Sequence, residues 1–170
     1  MYGVVQKKMK KTKIFDFRIV ALTIFAMLLL MPVFALIHEY SHGLICVLNG
    51  KEFVFGISIA GGWLSCIGVI EEPTMFRLAG GMITAMIAFA TFAILKPKLV
   101  GRFKFIAIAL VTMGIGEYSV GIMEGYLNDF YMHSQFSGGV SGMLMLTIVM
   151  ILLYRESKFI NERKEIESLR

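Results

Sequence analysis

Residues 17–48 read FRIVALTIFAMLLLMPVFALIHEYSHGLICVL. The stretch is apolar from Ile19 to Ile37, and His38-Glu39-Tyr40-Ser41-His42 follows directly. Residues four apart lie on one face of a helix, so both imidazoles can reach one metal ion. The spacing H-E-x-x-H is typical of zinc hydrolases, in which the two histidines bind the metal and the glutamate is the general base. The stretch therefore predicts a helix that carries a metal site in its second half.

Chance is the alternative explanation of this pattern, because the pattern fixes only three positions. Two of the chain's three histidines nevertheless lie within it. Ionisable side chains in an apolar helix cost free energy and seldom lack a role. We therefore interpret His38 and His42 as metal ligands and Glu39 as the catalytic base.

The composition indicates an integral membrane protein. Hydrophobic residues make up 57% and charged residues 17% of the 170 residues, whereas soluble domains are roughly half apolar and a quarter charged. The apolar residues are concentrated in long runs, as membrane-spanning helices require. We expect one membrane domain over 1–170, with a basic cytoplasmic flank at 1–18, a membrane core at 19–154 and a charged tail at 155–170.

The basic residues predict the orientation of the chain. Of the 17 Lys and Arg residues, six lie in the amino-terminal flank, four in the loop 96–104 and five in the tail. By the positive-inside rule these segments face the cytoplasm, so we expect a multi-pass protein of the cell membrane with both termini cytoplasmic. Because the basic residues flank apolar runs, the net charge of +5 indicates contact with the lipid bilayer and not with nucleic acid.

The expected fold is all-α, with about four transmembrane helices and a short β-hairpin or re-entrant loop after the first. The predicted helices cover about 17–48, 75–95, 105–123 and 136–154. Pro32 is expected to kink or divide the first helix, because proline removes a helix hydrogen bond. Residues 51–70 have β-branched and aromatic residues on both sides of Gly61-Gly62, which indicates a hairpin. This hairpin either lies next to the metal or lies outside the membrane without a role in substrate binding.

Cysteine and glycine residues predict packing. Two cysteines are too few for a disulfide framework. Cys46 lies four residues after His42 and could share the ligand face, but we favour a small apolar packing residue. Close helix contacts are expected at Gly80-Gly81 in the second helix, and at Gly138 and Gly142 in the fourth.

A catalytic zinc site needs a third protein ligand and an open position. The candidates are Asp129, Glu124, Glu117 and His133. Glu117 lies within an apolar helix, where a functional role is expected: a ligand, a partner that orients a histidine, or an ion pair with Arg77. The other three lie in the predicted loop 124–135, where Asp129 is either a ligand or a solvated carboxylate and His133 either reaches the metal or has no role.

The chain resembles the site-2 protease family of intramembrane zinc metalloproteases. The resemblance covers roughly residues 30–135 and rests on the H-E-x-x-H at 38–42, on the glycine-containing hairpin after it, and on Ala79-Gly80-Gly81, which is similar to the family's Ala-Gly-Pro. It implies Asp129 as the third ligand, in the place of an aspartate that the family takes from a later helix. This chain departs from the family's Asp-Gly, since Phe130 follows Asp129.

The resemblance implies an intramembrane zinc metalloprotease that hydrolyses peptide bonds in transmembrane or membrane-proximal segments of other proteins. Zn²⁺ would be the cofactor, Glu39 the base and a membrane protein the substrate. Family members commonly act toward the cytoplasmic side, whereas the Lys and Arg distribution places this site toward the outer side. The alternative is a non-catalytic metal- or proton-binding membrane adaptor or transporter, although a catalytically inactive relative would often lack Glu39.

Overall fold

The computed structural model describes residues 17–58, 61–97, 99, 103–133, 142–155 and 158, without the side chains of 57, 58, 61, 132 and 133. Its elements in chain order are α1 (Phe17–Leu48), β1 (Phe53–Ser58), β2 (Gly61–Cys66), α2 (Pro73–Leu95), α3 (Lys104–Tyr126), α4 (Asn128–His133) and α5 (Gly142–Arg155). The described chain is mostly helical, and a two-stranded sheet follows the first helix. Both features agree with the fold expected from the sequence.

Three helices, α1, α2 and α3, are long and apolar enough to cross a membrane. With 32 residues, α1 extends over about 48 Å at a rise of ~1.5 Å per residue, which exceeds the hydrocarbon thickness of about 30 Å. The shorter apolar helix α5 extends over only about 21 Å. The predicted fourth helix began at residue 136, and residues 134–141 lie outside the described part.

The apolar core lies between the first three helices. Its buried members are Phe34, Ala88, Leu99, Leu110 and Met113. Many large apolar side chains point outward instead; Phe25, Met86 and Ile94 are 58%, 70% and 73% exposed. An outer surface of this kind suits contact with lipid, where apolar side chains face an apolar solvent.

The first helix is continuous, with Pro32 inside it. Of the two outcomes expected for Pro32, division of the helix is therefore not observed. Proline has the φ angle of a helix, and it removes only one backbone hydrogen bond, here the bond to the carbonyl of Leu28. Apolar residues continue on both sides of it, so the same environment favours one long helix.

Glycine residues bring α2 and α3, the most extensively paired helices, close together. A Cβ atom at Gly81 would overlap the backbone at Glu117 and Gly121. The prediction of close approach at Gly81 thus agrees with the structure. The predicted contact in the fourth helix does not appear in the described residues, since nothing lies within 4 Å of a Cβ at Gly142 and Gly138 is outside them.

The hairpin pairs β1 with β2 in antiparallel register, from Phe53 opposite Cys66 to Ser58 opposite Gly61. Gly61 and Gly62 therefore belong to a strand and do not form the turn of the hairpin, and residues 59–60 lie outside the described residues. The reason is steric, because a Cβ at Gly62 would lie only 2.6 Å from Cγ of Glu39. Glycine at this position lets the strand lie directly against the metal-motif helix.

A disulfide between Cys46 and Cys66 joins the last turns of α1 to the end of β2, with the two Cα atoms 5.5 Å apart. This corrects the interpretation of Cys46 as a packing residue. Alternate residues of a strand share a face, so Cys66 faces α1 together with Gly62. Cys46 lies one helical turn after His42, and the disulfide thereby fixes the hairpin beside the metal motif.

We expect purified protein to have no alkylatable thiol before reduction and two after it, since the chain has two cysteines. Mass spectrometry after alkylation in denaturant counts them, and Cys46→Ser, which should show one thiol without reductant, is the control. Closing a loop with a sequence separation of 20 contributes about 3 kcal/mol in the chain-entropy view. The double variant Cys46→Ser/Cys66→Ser should therefore unfold at a lower temperature. Two modified thiols in unreduced wild type would contradict the disulfide.

Candidate metal centre

Four helices and the hairpin meet at one end of the bundle. The second half of α1 contributes His38 and His42, which are 9% and 8% exposed. The last turns of α3 contribute Glu117 and Glu124, which contact those imidazoles. Because helices joined by short connections run in opposite directions, the end of α1, the start of α2 and the end of α3 are brought together. Ionisable side chains from distant parts of the sequence thus share one largely buried space.

His38, His42 and Glu124 form a group that could hold a metal ion. The two Nε2 atoms are 3.2 Å apart, and Oε2 of Glu124 lies 3.3 Å from Nε2 of His38 and 3.6 Å from Nε2 of His42. Ligand atoms bound tetrahedrally at about 2.0–2.1 Å are separated by roughly 3.3–3.4 Å. The three atoms therefore have the spacing that one tetrahedral ion requires.

The remaining ring nitrogens determine which atoms face this centre. Nδ1 of His38 lies 2.8 Å from Oε2 of Glu117, and Nδ1 of His42 lies 2.7 Å from the carbonyl oxygen of Phe76. Both partners are acceptors, so each Nδ1–H donates and the proton of the neutral ring is on Nδ1. Each Nε2 then carries a free lone pair toward the centre. Outer partners of this kind fix the tautomer and the ring orientation of metal-binding histidines.

In these tautomers, the three atoms that face the centre, the two Nε2 atoms and Oε2 of Glu124, are all hydrogen-bond acceptors, and none of them carries a proton to donate. Oε2 of Glu124 is buried, and it has no hydrogen-bond partner among the described residues. Burying an acceptor without a partner is costly, and two lone pairs facing each other add repulsion. A cation bound by all three atoms would remove both costs, so the donor set fits a metal ion better than it fits an apo packing arrangement.

Glycine also shapes the space beside the ligands. A Cβ at Gly80 would overlap Nε2 of both His38 and His42. Any larger residue would therefore occupy the centre itself. Glu39 is not one of the three grouped residues; its side chain lies between α1 and the hairpin, against Gly62. The helix α1 thus presents the two imidazoles to the centre and the Glu39 carboxylate to the hairpin.

The predicted site residues fall in different places. His38 and His42 lie together in one group, Glu39 lies against Gly62 of the hairpin, and Glu117 occupies the position of a partner that orients a histidine. Asp129, the ligand implied by the family resemblance, is exposed in the first turn of α4, outside the group that Glu124 completes. The side chain of His133 lies outside the described part of the chain.

The difference at the third position arises from the end of α3. This helix continues to Tyr126, three residues beyond the predicted end, so Glu124 is helical and does not lie in a loop. Glu117 and Glu124 are seven residues apart, which is about two helical turns, and they therefore share one face. That spacing is the signal in the sequence that identifies both carboxylates.

The structure adds Tyr131, which no pattern in the sequence indicated. Tyr131 lies in α4, and its phenol lies near enough to the Glu124 carboxylate to be influenced by its charge. Burial raises the pKa of this hydroxyl well above its ordinary value, and the charge of Glu124 raises the pKa further. Tyr131 therefore adds a neutral hydroxyl near the third candidate ligand.

Comparisons with protein-family models, with curated proteins and with solved structures found no match to this chain. The similarity to site-2 proteases therefore depends on the chain's own short motifs. The geometry of the centre is an independent basis for assigning a function.

We expect purified protein to bind about one metal ion per chain, as two imidazoles and a carboxylate imply. Glu124→Ala should lose this metal and Asp129→Ala should keep it, because only Glu124 lies with the imidazoles. Elemental analysis of both variants measures this, with size-exclusion chromatography in detergent to verify folding. The family resemblance predicts the reverse, and metal loss in Asp129→Ala with full retention in Glu124→Ala would contradict the geometry.

Proposed function

We propose that the protein is an intramembrane zinc metalloprotease in which His38, His42 and Glu124 bind Zn²⁺. The observation that carries the proposal is the convergence of two Nε2 atoms and one carboxylate oxygen at tetrahedral spacing, with Glu39 adjacent to the first ligand. Two nitrogen donors and one oxygen donor with a position left open are typical of catalytic zinc sites. The apolar helices around the centre support a location within a membrane.

Bound Zn²⁺ supplies a Lewis acid that polarises a carbonyl and lowers the pKa of a coordinated water toward ~7. The chain's own residues supply the rest of the chemistry. The Glu39 carboxylate accepts a proton from the attacking water and donates it to the leaving amine. Glu117 and the Phe76 carbonyl hold the two imidazoles in place, so the ligands need little reorganisation during the reaction.

The hairpin is suited to hold the substrate near Glu39. The substrate would be a transmembrane or membrane-proximal segment of another protein, unwound so that its backbone is accessible. An unwound segment must pair its backbone polar groups, and adding a strand to a sheet edge does so. Because Gly62 of β2 lies against Glu39 and the disulfide fixes β2 to α1, a strand added to this sheet is held close to the catalytic base.

We place the protein in the cell membrane, with both termini cytoplasmic and the site toward the outer side. Fifteen of the 17 basic residues lie in the three segments that this orientation puts inside. The Cys46–Cys66 disulfide supports the same orientation independently, since disulfides persist in oxidising compartments. This arrangement requires a fourth crossing, for which α5 and the residues before it are the candidate.

Glu39→Gln should keep the metal but lower cleavage of transmembrane peptides by about 10²–10⁴-fold, because glutamine cannot accept the proton from water. Peptide cleavage in detergent and in lipid vesicles, together with elemental analysis, tests this. Glu52→Gln, which alters an exposed carboxylate near the hairpin, is the matched control.

If Glu39→Gln cuts as fast as wild type, this mechanism is wrong. If wild type cuts none of a broad panel of such peptides while it binds zinc, a metal- or proton-binding adaptor or transporter is favoured instead.

A cysteine introduced at Glu71 should react with a membrane-impermeant thiol reagent added from outside, whereas one at Lys98 should not, because Lys98 lies in a loop rich in basic residues and Glu71 does not. Labelling of intact cells compared with permeabilised cells measures this. The native cysteines form a disulfide, so wild type is the unlabelled control. The opposite labelling pattern would place the site on the cytoplasmic side.

A further inference from the structure

We propose that the Cys46–Cys66 disulfide is a positioning element for Glu39, and that reducing it slows peptide cleavage while the metal stays bound. The inference rests on the proposed function, in which Glu39 is the general base. It concerns what holds the hairpin in register beside that base.

Strand β2 lies along α1 and contacts it at three successive points. A Cβ at Gly62 would lie 2.6 Å from Cγ and 3.0 Å from Oε1 of Glu39. Two residues further along the strand, on the same face, Cδ1 of Leu64 would lie 3.2 Å from a Cβ at Gly43. The third point, again two residues further, is the disulfide. On α1 these points are about one helical turn apart, so strand and helix match each other in register.

The first two contacts do not fix this register by themselves. Each has a glycine on one side, so no side chains interlock there, and a glycine-rich strand has a weakly specified register. If β2 moved along α1 by two residues, Leu64 would replace Gly62 at Glu39 and displace the carboxylate. The disulfide excludes this movement, because it joins one point of β2 to one point of α1.

Other contacts keep the hairpin near α1 when the disulfide opens. The ring of Tyr40 lies 6.5 Å from that of Phe53 and 5.2 Å from that of Phe55, measured between centroids. The backbone N–H of Lys51 also donates to the carbonyl of Cys46 at 2.9 Å. Tyr40 and Phe55 are both exposed, so their packing limits sliding less than a buried contact would. Reduction therefore removes the register of the hairpin and not its attachment.

The reductant is a dithiol, and the disulfide is open to it from one side. Cys46 is fully buried, whereas Cys66 is partly exposed, between the exposed Ser65 and Ile67. A thiolate of the reductant attacks Sγ of Cys66, the S–S bond breaks, and Cys46 leaves as a thiolate that takes up a proton. The second thiol of the reductant then displaces Cys66 from the mixed disulfide. The two electrons come from the dithiol, which becomes a disulfide.

The metal centre does not depend on the hairpin. Its three grouped side chains lie on α1 and α3, and the partners of the two Nδ1 atoms lie on α3 and α2. None of these groups belongs to β1 or β2. Metal binding and hairpin register can therefore be measured separately.

The test compares oxidised with reduced wild type on the full chain in lipid vesicles. Reduction with dithiothreitol should lower kcat for a transmembrane peptide by about 10²-fold, the effect of a misplacement of ~1 Å, with about one zinc still bound per chain. Reoxidation should restore kcat. Hydrogen exchange of the amides in 53–66 should become faster on reduction, which reports the hairpin without relying on cleavage.

Two variants show whether the disulfide acts as proposed. Cys46→Ser/Cys66→Ser should have the kcat of reduced wild type and should not respond to dithiothreitol, which controls for removal of metal by the reductant. In Glu39→Gln, reduction should not slow the residual cleavage further, because the disulfide acts through Glu39.

Equal kcat in the two redox states overturns the inference, as does a further loss in reduced Glu39→Gln. A rise in KM at constant kcat would show that the hairpin only holds substrate, and loss of zinc on reduction would show that the disulfide supports the metal centre; either result also overturns it. No cleavage by zinc-loaded, oxidised wild type would instead overturn the proposed function, and the inference with it.

Discussion

Three hydrogen-bond acceptors, the Nε2 atoms of His38 and His42 and Oε2 of Glu124, converge at one end of an otherwise apolar bundle. Such a group is unfavourable by itself, since acceptors repel one another and each loses its hydration on burial. The surrounding structure must therefore hold these atoms together, and the hydrogen bonds from the two Nδ1 atoms do so. Most other features at this end of the bundle follow from that requirement.

Glycine provides the close approach that the centre needs. Successive residues of a helix point about 100° apart, so the adjacent Gly80 and Gly81 of α2 face different neighbours. Gly80 leaves room at the two imidazoles, and Gly81 lets the backbone of α3 come near enough for Glu117 and Glu124 to reach them. Gly62 does the same for the hairpin beside Glu39. Three glycines thus set the distances among α1, α2, α3 and the sheet.

The sequence was sufficient for the local features of this structure. The bounds of α1, the face shared by His38 and His42, and the presence of a hairpin follow from periodicity and residue type, which act over a few residues. The end of α3 was not predictable in this way, because Glu124-Gly125 has the character of a loop unless a partner buries the carboxylate. The pairing of Cys46 with Cys66 depends on strand register, and the position of Tyr131 near Glu124 depends on the turn after α3. These three features are set by tertiary contacts.

The length of α1 connects the proposed orientation with the proposed chemistry. If about 20 residues of this helix cross the hydrocarbon core, a crossing that starts near Phe17 ends close to His38. The metal motif then lies at the boundary of the core, and the last turns with Cys46 project beyond it. Peptide hydrolysis consumes water, and disulfide formation requires access to oxidants, so both reactions favour this depth. Trp63 of β2 is 55% exposed, and tryptophan prefers the membrane–water interface. An unwound substrate segment would therefore meet the site where its backbone can leave the lipid and where water can reach Glu39.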